Sequence, residues 1–273
     1  MFDMHHYETA ISKIISTETE EELILRGHRL SDLIREASFA QSVFLMLTGR
    51  MPSPGQARTL DAVFTACVDH AVTPSAMIGR AFASYGTSIP AAIAGGILMF
   101  GDIMGGAGEP LARMLTDALH TVAPEGGDID DQTIQKAAEH LIDQAMQSGA
   151  RMPGFGIPAH AKDPRAPALL DVAQSSAAAG PFCRLLVATE AELARRKGRP
   201  IPINIDGIVA AIVLDMGMPP ECVAAFVMIP RSFSTLAHHL EEKSQGTRWR
   251  HVPQDQVTYT GPMPQQPPAA ATR

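Results

Sequence analysis

Ile89 to Phe100 reads IPAAIAGGILMF, the longest apolar run in the chain, and the fold class turns on what that run is for. A bilayer span needs about 20 apolar residues; this run is shorter and interrupted by a Gly pair. It is better read as a helix buried on all sides, which requires other helices around it. The rest of the chain supplies them. Aromatic residues make up 5% of the 273 residues, against a hydrophobic fraction of 45% rich in Ala, Met, Leu and Ile. That mixture suits helices packed closely on helices, and an all-α fold is expected.

Working outward from the run, helical spacing recurs at 54–68, 73–85, 108–121, 133–148, 169–179 and 182–196. SDLIREAS offers Ser31 as an N-cap, and FAQSVFLMLTGRMPS continues that helix until Gly49 and Pro52 stop it. EELILRGHRL reads as a brief extended pair bent at Gly27, and Tyr7 to Ser16 as a short amphipathic helix. GRPIPINIDG is Pro-broken and leads into the helix IVAAIVLDMG; helices at 221–229 and 232–242 are separated by Pro230. The tail PMPQQPPAAATR can form neither helix nor strand, leaving disorder or a strap on a partner subunit. No repeat of fixed period occurs.

Charge narrows the function. A net charge of −7 and a pI near 5.8 provide no basic field, so nucleic acid and anionic membranes are poor partners and any anion site must be local. Three cysteines, Cys67, Cys183 and Cys222, with no CxxC pair, fit free thiols in a reducing cytoplasm. The start MFDMHHYETA has no apolar core of a targeting signal. No HxxxH or HExxH occurs, and His5/His6 and His238/His239 are adjacent pairs that point to different faces of a helix, so a metal site is not expected. The glycines of GGAGEP and GFG do not make a dinucleotide-binding turn.

Four segments set charge or His beside chain breakers, where a scaffold usually displays its chemistry: VDHAVTPSA, MPGFGIPAHAKDPRA, INIDG, and PRS with GTRWRHVP. Asp206 in INIDG has two readings. Apolar neighbours would raise its pKa and suit it to moving protons at carbon; equally, it could cap the helix that follows. Arg165, Arg231 and Arg250 would form a di- or tricarboxylate pocket if they converge, and are otherwise surface cations. His70 can polarise an oxygen, bind a carboxylate or serve the structure alone.

Taken in order, these segments resemble the citrate synthase superfamily, most closely its lyase branch of citryl-CoA lyases and the citryl-CoA lyase module of ATP-citrate lyase. LILRGHRLSDLIREASFAQSVFLMLTGRMPS is similar to the family's opening. VDHAVTPSAMIGRAFASYGTSIPAAIAGGILMFGDIMGGAGEPLARML resembles its substrate-His segment and the helix after it. PGFGIPAHAKDPRA resembles PGFGHPxHxxxDPRA, INIDG the base motif, and RSFSTLAHHLEEKSQGTRWRHVP the terminal arginine region. The resemblance covers nearly the whole chain and implies an all-α, citrate synthase-like two-domain fold with its active site in a cleft. It implies a large domain from 1–108 and 205–262, a small domain at 109–204 and a tail at 263–273.

The same resemblance assigns roles. Asp206 becomes the acid/base at the methyl carbon of acetyl-CoA, and His70 holds the oxoacid portion. Arg165 and Arg231 clamp substrate carboxylates, and Arg250 does so from the neighbouring subunit of a homodimer or higher oligomer. The backbone of Pro153, Gly154, Phe155 and Gly156 approaches the CoA adenine, and Arg151 and Lys162 meet CoA phosphates. The CoA thioester and a di- or tricarboxylate are the partners, and no cofactor beyond that substrate is expected. Two positions depart from the family: Met104 stands where synthases carry the His of HGGA, and Ile157 where the loop carries the His of GFGH. Met104 argues against a condensing synthase. Ile157 leaves three explanations: His160 or His70 takes the proton-transfer role, the substrate differs, or the protein binds a CoA thioester or polycarboxylate without turning it over. The expected reaction is retro-Claisen cleavage of citryl-CoA, or a related 3-hydroxy-3-carboxyacyl-CoA, to acetyl-CoA and a 2-oxo acid such as oxaloacetate. Synthase-type condensation and a non-catalytic homologue are the alternatives.

Overall fold

Local capping explains where most helices begin and end. The computed structural model describes residues 7–101, 105–124, 129–149, 151–156 and 162–264. Ser38 and Ser53 each accept from the N–H three residues on while Gln41 and Gln56 reach back, so two capping boxes start α2 (Phe39–Thr48) and α3 (Pro54–Cys67). Gly49 ends α2 with φ 76°, the left-handed conformation Gly adopts without strain. Further on come α4 (Pro74–Ser84), α5 (Ile89–Leu98), α6 (Gly108–Val122) and α7 (Asp131–Ser148). The series closes with α8 (Arg165–Ser175), α9 (Pro181–Lys197), α10 (Ile205–Asp215) and α11 (Glu221–Ser244). With α1 (Leu30–Glu36) the described residues hold 11 α-helices, and the all-α class stands.

Four local expectations change. Residues 12–16 form a strand rather than a helix: β1 (Ser12–Ser16) pairs antiparallel with β2 (Glu21–Leu25), which pairs with β3 (His28–Arg29) across the expected bend at Gly27. The β-branched Ile14 and Ile15 favour that outcome once a partner strand is present. Ser31 does not cap α1; it lies inside the helix, and its hydroxyl donates to Glu22 on β2 at 2.5 Å. The two helices expected around Pro230 are one continuous α11. Pro230 lacks the N–H that would bond to the carbonyl of Phe226, and burial of Val223, Phe226, Val227, Pro230 and Arg231 against neighbouring helices offsets that loss.

The fourth change concerns the opening run. α5 is not buried on all sides: Ala92 and Gly96 face inward, whereas Ile89, Ala94 and Leu98 are exposed, Leu98 at 82%. Its partners within the chain are α4 and α11. The helix surrounded on all sides is α10, where every residue from Gly207 to Val213 is buried. It packs against α6, α9, α11 and α8. The Pro-rich tail from residue 265 on lies outside the described residues. None of the described helices is long and apolar enough to cross a membrane.

Candidate active site

The first turn of α10 is the centre of the site, and its cap decides between the two readings of Asp206. Asn204 is the N-cap, its Oδ1 accepting from the Gly207 N–H at 3.1 Å. Asp206 is the second helical residue and is released from capping. Its carboxyl is held above the usual aspartate range, because burial outweighs the opposing pull of the Arg165 and Arg231 guanidiniums, and the Asp163 charge adds to the rise. Such a group holds a proton at a pH where an exposed aspartate has lost it.

Arg165 opens α8. Its Nε and Nη2 donate to Asp163 Oδ1 and Oδ2 at 2.9 and 2.8 Å, and its backbone N–H donates to Oδ1 at 3.1 Å. Asp163 is fully buried and also accepts from the Ile205 N–H at 3.0 Å, which joins the Arg165 turn to the start of α10. Burial opposes its ionisation, yet these donors hold its pKa below the ordinary value.

Arg231 arrives from the far side, on the turn of α11 that follows Pro230. It is 7% exposed, and its Nε donates to the carbonyl of Cys67 at 3.1 Å. Its guanidinium carbon lies 5.9 Å from the centre of the Phe100 ring. Burial lowers its pKa, and Asp69 and Asp206 counter that. The Cys67 thiol, pushed up to about 12 by burial, feels all four charged groups, Arg165, Arg231, Asp206 and Asp163. It stays a neutral thiol.

His70 follows in the loop after α3. That loop is pinned to α11 twice, by Arg231 on Cys67 and by the Ser234 hydroxyl on Asp69 Oδ1 at 2.6 Å. Ala71 sits in the left-handed region at φ 56°, held by its N–H on Asp69 Oδ2 at 2.9 Å. His70 is half-buried in this turn, on the Arg231 side of the site.

The Pro153–Gly156 loop is sealed onto the segment leading into α10. Asn204 N–H donates to the Gly154 carbonyl at 3.0 Å, Gly156 N–H to Pro202 at 2.7 Å, and Asn204 Nδ2 to Gly156 at 2.7 Å. A Cβ on Gly207 would lie 2.4 Å from the Gly154 carbonyl oxygen, and one on Gly154 2.9 Å from Gly207 Cα. Only glycines allow these backbones to meet. Phe155 turns inward to the core, while Pro153 and Gly156 are half-buried and Arg151 and Lys162 exposed. Met104, Ile157 and His160 lie outside the described residues.

Arg250 is placed apart from this cluster. Its fork closes on Glu242 at 2.5 and 2.8 Å, and its N–H donates to the Ser84 hydroxyl. The Glu242 carboxylate is fully buried, and Arg250 together with Arg80 holds its pKa down to about 2. Arg80 also donates from Nε to His238 Nδ1 at 3.2 Å, and His238 lies 3.5 Å from Asp69. A polar chain therefore runs from the His70 loop to the Arg250 segment. Reading by residue type missed Asp163, Asp69 and Glu242. The Asp-Pro pair at 163–164, which favours a turn closed by the Asp side chain, is the one local signal that marked any of them.

A carboxylate kept protonatable beside two arginines, at a helix start inside a predominantly helical fold, has the chemistry to bind an anion and move a proton. The family profile described as "Citrate synthase, C-terminal domain" matches residues 46–251, and the chain belongs to the citrate synthase family. Citryl-CoA lyase from Hydrogenobacter thermophilus is 29% identical and superposes with a TM-score of 0.84 over 96% of this chain and 97% of that one. ATP citrate lyase from Methanosaeta concilii, solved with (3S)-citryl-CoA, is 20% identical with a TM-score of 0.77, covering 96% of this chain and 43% of its own, and shows the fold alone. Citrate synthase from Heyndrickxia coagulans is 24% identical over 87% of this chain, which spans 60% of that synthase's length.

Proposed function

We propose that the protein is a carbon–carbon lyase that cleaves citryl-CoA, or a related 3-hydroxy-3-carboxyacyl-CoA, to acetyl-CoA and a 2-oxo acid such as oxaloacetate. The observation that carries this reading is Asp206, held above the ordinary aspartate range between Arg165 and Arg231. In the cleavage direction a base takes the hydroxyl proton, and the carbon–carbon bond breaks to give the oxo acid and a thioester enolate. Asp206 then delivers its proton to the enolate carbon. Arg165 and Arg231 neutralise the substrate carboxylates, and His70 contacts the oxoacid portion. The reaction needs no cofactor beyond the CoA thioester, whose adenosine end lies against the Pro153–Gly156 loop with Arg151 and Lys162 near its phosphates.

Lyase is favoured over synthase by Met104 in place of the synthase His, and by the 29% identity and TM-score of 0.84 with a citryl-CoA lyase over nearly the full length of both chains. The working unit in this reading is a homodimer. Exposed Leu98, Ile229 and Phe233 on α5 and α11 form the contact surface, and Arg250 serves the partner's site once Glu242 yields or shares it.

Ile157 favours a second reading, a binding protein without turnover, because an aliphatic side chain transfers no proton and loss of a positioned acid/base costs about 10² to 10⁴ in rate. Incubation with citryl-CoA, followed by mass spectrometry of acetyl-CoA and oxaloacetate, separates the two. Release by wild type and its loss in Asp206→Ala support the lyase. Silence of wild type with activity in Ile157→His shows a competent scaffold for another substrate, and silence in all three supports the binding protein.

A further inference from the structure

The site holds a second buried carboxylate that the reaction above does not use. Asp163 receives four hydrogen bonds, two from the Arg165 side chain, one from the Arg165 N–H and one from the Ile205 N–H. A carboxylate offers about four lone-pair sites, so none is left for substrate. Asp163 is nonetheless buried completely in a place where charge is costly. Its neighbours suggest what that cost maintains.

Arg165 stands close enough to Asp206 to oppose its rise in pKa. A guanidinium beside a carboxylate in a water-poor site tends to close on it as a bidentate pair. Such a pair would ionise Asp206 and consume the cation meant for substrate. Asp163 prevents this by occupying Nε and Nη2, one full edge of the guanidinium, at 2.9 and 2.8 Å. The fork can then present only its remaining donors to a ligand. The bond to Ile205 fixes this arrangement relative to α10, because Ile205 directly precedes Asp206.

We propose that Asp163 is a positioning residue of the site: it holds Arg165 turned toward the substrate carboxylate and away from Asp206, so that Asp206 stays able to carry a proton. The proposal rests on the lyase reading for its consequence in catalysis, but its physical content concerns only the four groups around Asp206: Asp163 before α8, Arg165 on α8, Arg231 on α11 and Cys67 at the end of α3. Asp163 contributes in two ways with the same sign, through its own negative charge and by diverting a cation. Removing that charge frees Arg165 to pair with Asp206.

The test is a titration of the full chain carrying carboxyl-¹³C aspartate, with the Asp206 signal assigned by its loss in Asp206→Asn. In wild type, Asp206 titrates above the ordinary aspartate range and Asp163 below it. In Asp163→Asn the Asp206 midpoint moves to lower pH, and in Asp163→Glu, which restores the carboxylate, it returns toward wild type. An unmoved or raised Asp206 midpoint in Asp163→Asn overturns the proposal. If that variant does not fold, wild type decides: an Asp206 that titrates at or below the ordinary range is already paired with Arg165, and the proposal fails. With citryl-CoA, the alkaline limb of the pH–rate profile shifts to lower pH in Asp163→Asn, and kcat at pH 7 falls on the order of 10²-fold; a uniform loss with an unshifted profile marks a merely structural Asp163 and also overturns it. A wild type that titrates as expected but does not cleave citryl-CoA refutes the lyase and leaves the role of Asp163 toward Asp206 supported.

Discussion

α5 and α10 are written in nearly the same alphabet and have opposite surroundings. IPAAIAGGIL and IDGIVAAIVLD are both short and rich in Ile and Ala. α10 is enclosed by α6, α8, α9 and α11, whereas α5 meets α4 and α11 and turns Ile89, Ala94 and Leu98 outward. The difference lies in where bulk is placed. α10 puts Ile208 and Ile212 into the core, while the inward stripe of α5 is Ala92 and Gly96, and its large Leu98 faces away. Small residues inward let α5 lie close to α11: a Cβ on Gly96 would fall 2.7 Å from Thr235 Oγ1. An apolar run thus does not by itself show that its own chain encloses a helix on every side.

The largest effect expected from this contrast is on stability. Ile212→Ala deletes fully buried methylenes and costs about 2–5 kcal/mol. Leu98→Ala at an exposed position stays within about 0.5 kcal/mol for a single chain. Urea melts at two protein concentrations check both. A Leu98→Ala cost that grows with concentration sharpens the contrast, because a second copy then covers α5. A cost equal to that of Ile212→Ala at every concentration breaks it, since α5 would then be enclosed by its own chain.

The next effect is on association. Leu98→Asp places a carboxylate on the exposed face of α5, and burying it unpaired in the proposed contact costs several kcal/mol. Sedimentation velocity is expected to show wild type as a dimer and the variant as a monomer with unchanged helical content. An unchanged oligomer in Leu98→Asp removes α5 from the contact and takes the proposed dimer surface with it.

How much of this was legible in the sequence follows from how local each signal is. The end of α2 and the Gly27 bend could be read because Gly49 and Gly27 act within a few residues of themselves, whereas the Ser38 cap that separates α2 from α1 was passed over in a run of helical spacing. β1 could not, because Ile14 and Ile15 become a strand only when β2 pairs with them. The continuity of α11 through Pro230 depends on packing from distant helices. The site divides similarly. Asp206, Arg165 and Arg231 were picked out as residue types in breaker-rich segments and by resemblance, but their meeting depends on four segments spread from Cys67 to Arg231. Arg250 was expected to be available to a neighbouring subunit, and its fork is closed on Glu242 because a buried carboxylate in reach is the stronger local partner.

The smallest effect takes the comparison back to the acidic group in the first turn of α10. Burial raises the pKa of Asp206 in the folded chain above its unfolded value, so the native state binds the proton more tightly than the unfolded state. Stability then falls as pH rises from the unfolded value through the folded one. Above the unfolded value, folding must either take up a proton or bury a charge, a net cost in both cases, and Asp206→Asn, with the same shape and no charge, is expected to melt at a higher temperature than wild type at pH 7. The gain should shrink as the pH is lowered toward the ordinary aspartate value, where wild type also holds the proton. Arg165 and Arg231 pull the other way, but their attraction is already contained in the net upward shift, and Asp163 keeps Arg165 paired after the substitution. Thermal melts of the two proteins across this pH range decide it. A variant less stable than wild type at pH 7 would mean that Asp206 is a structural counter-ion for the arginines, and the feature that sets α10 apart from α5 would then be part of the core rather than a group kept ready for chemistry.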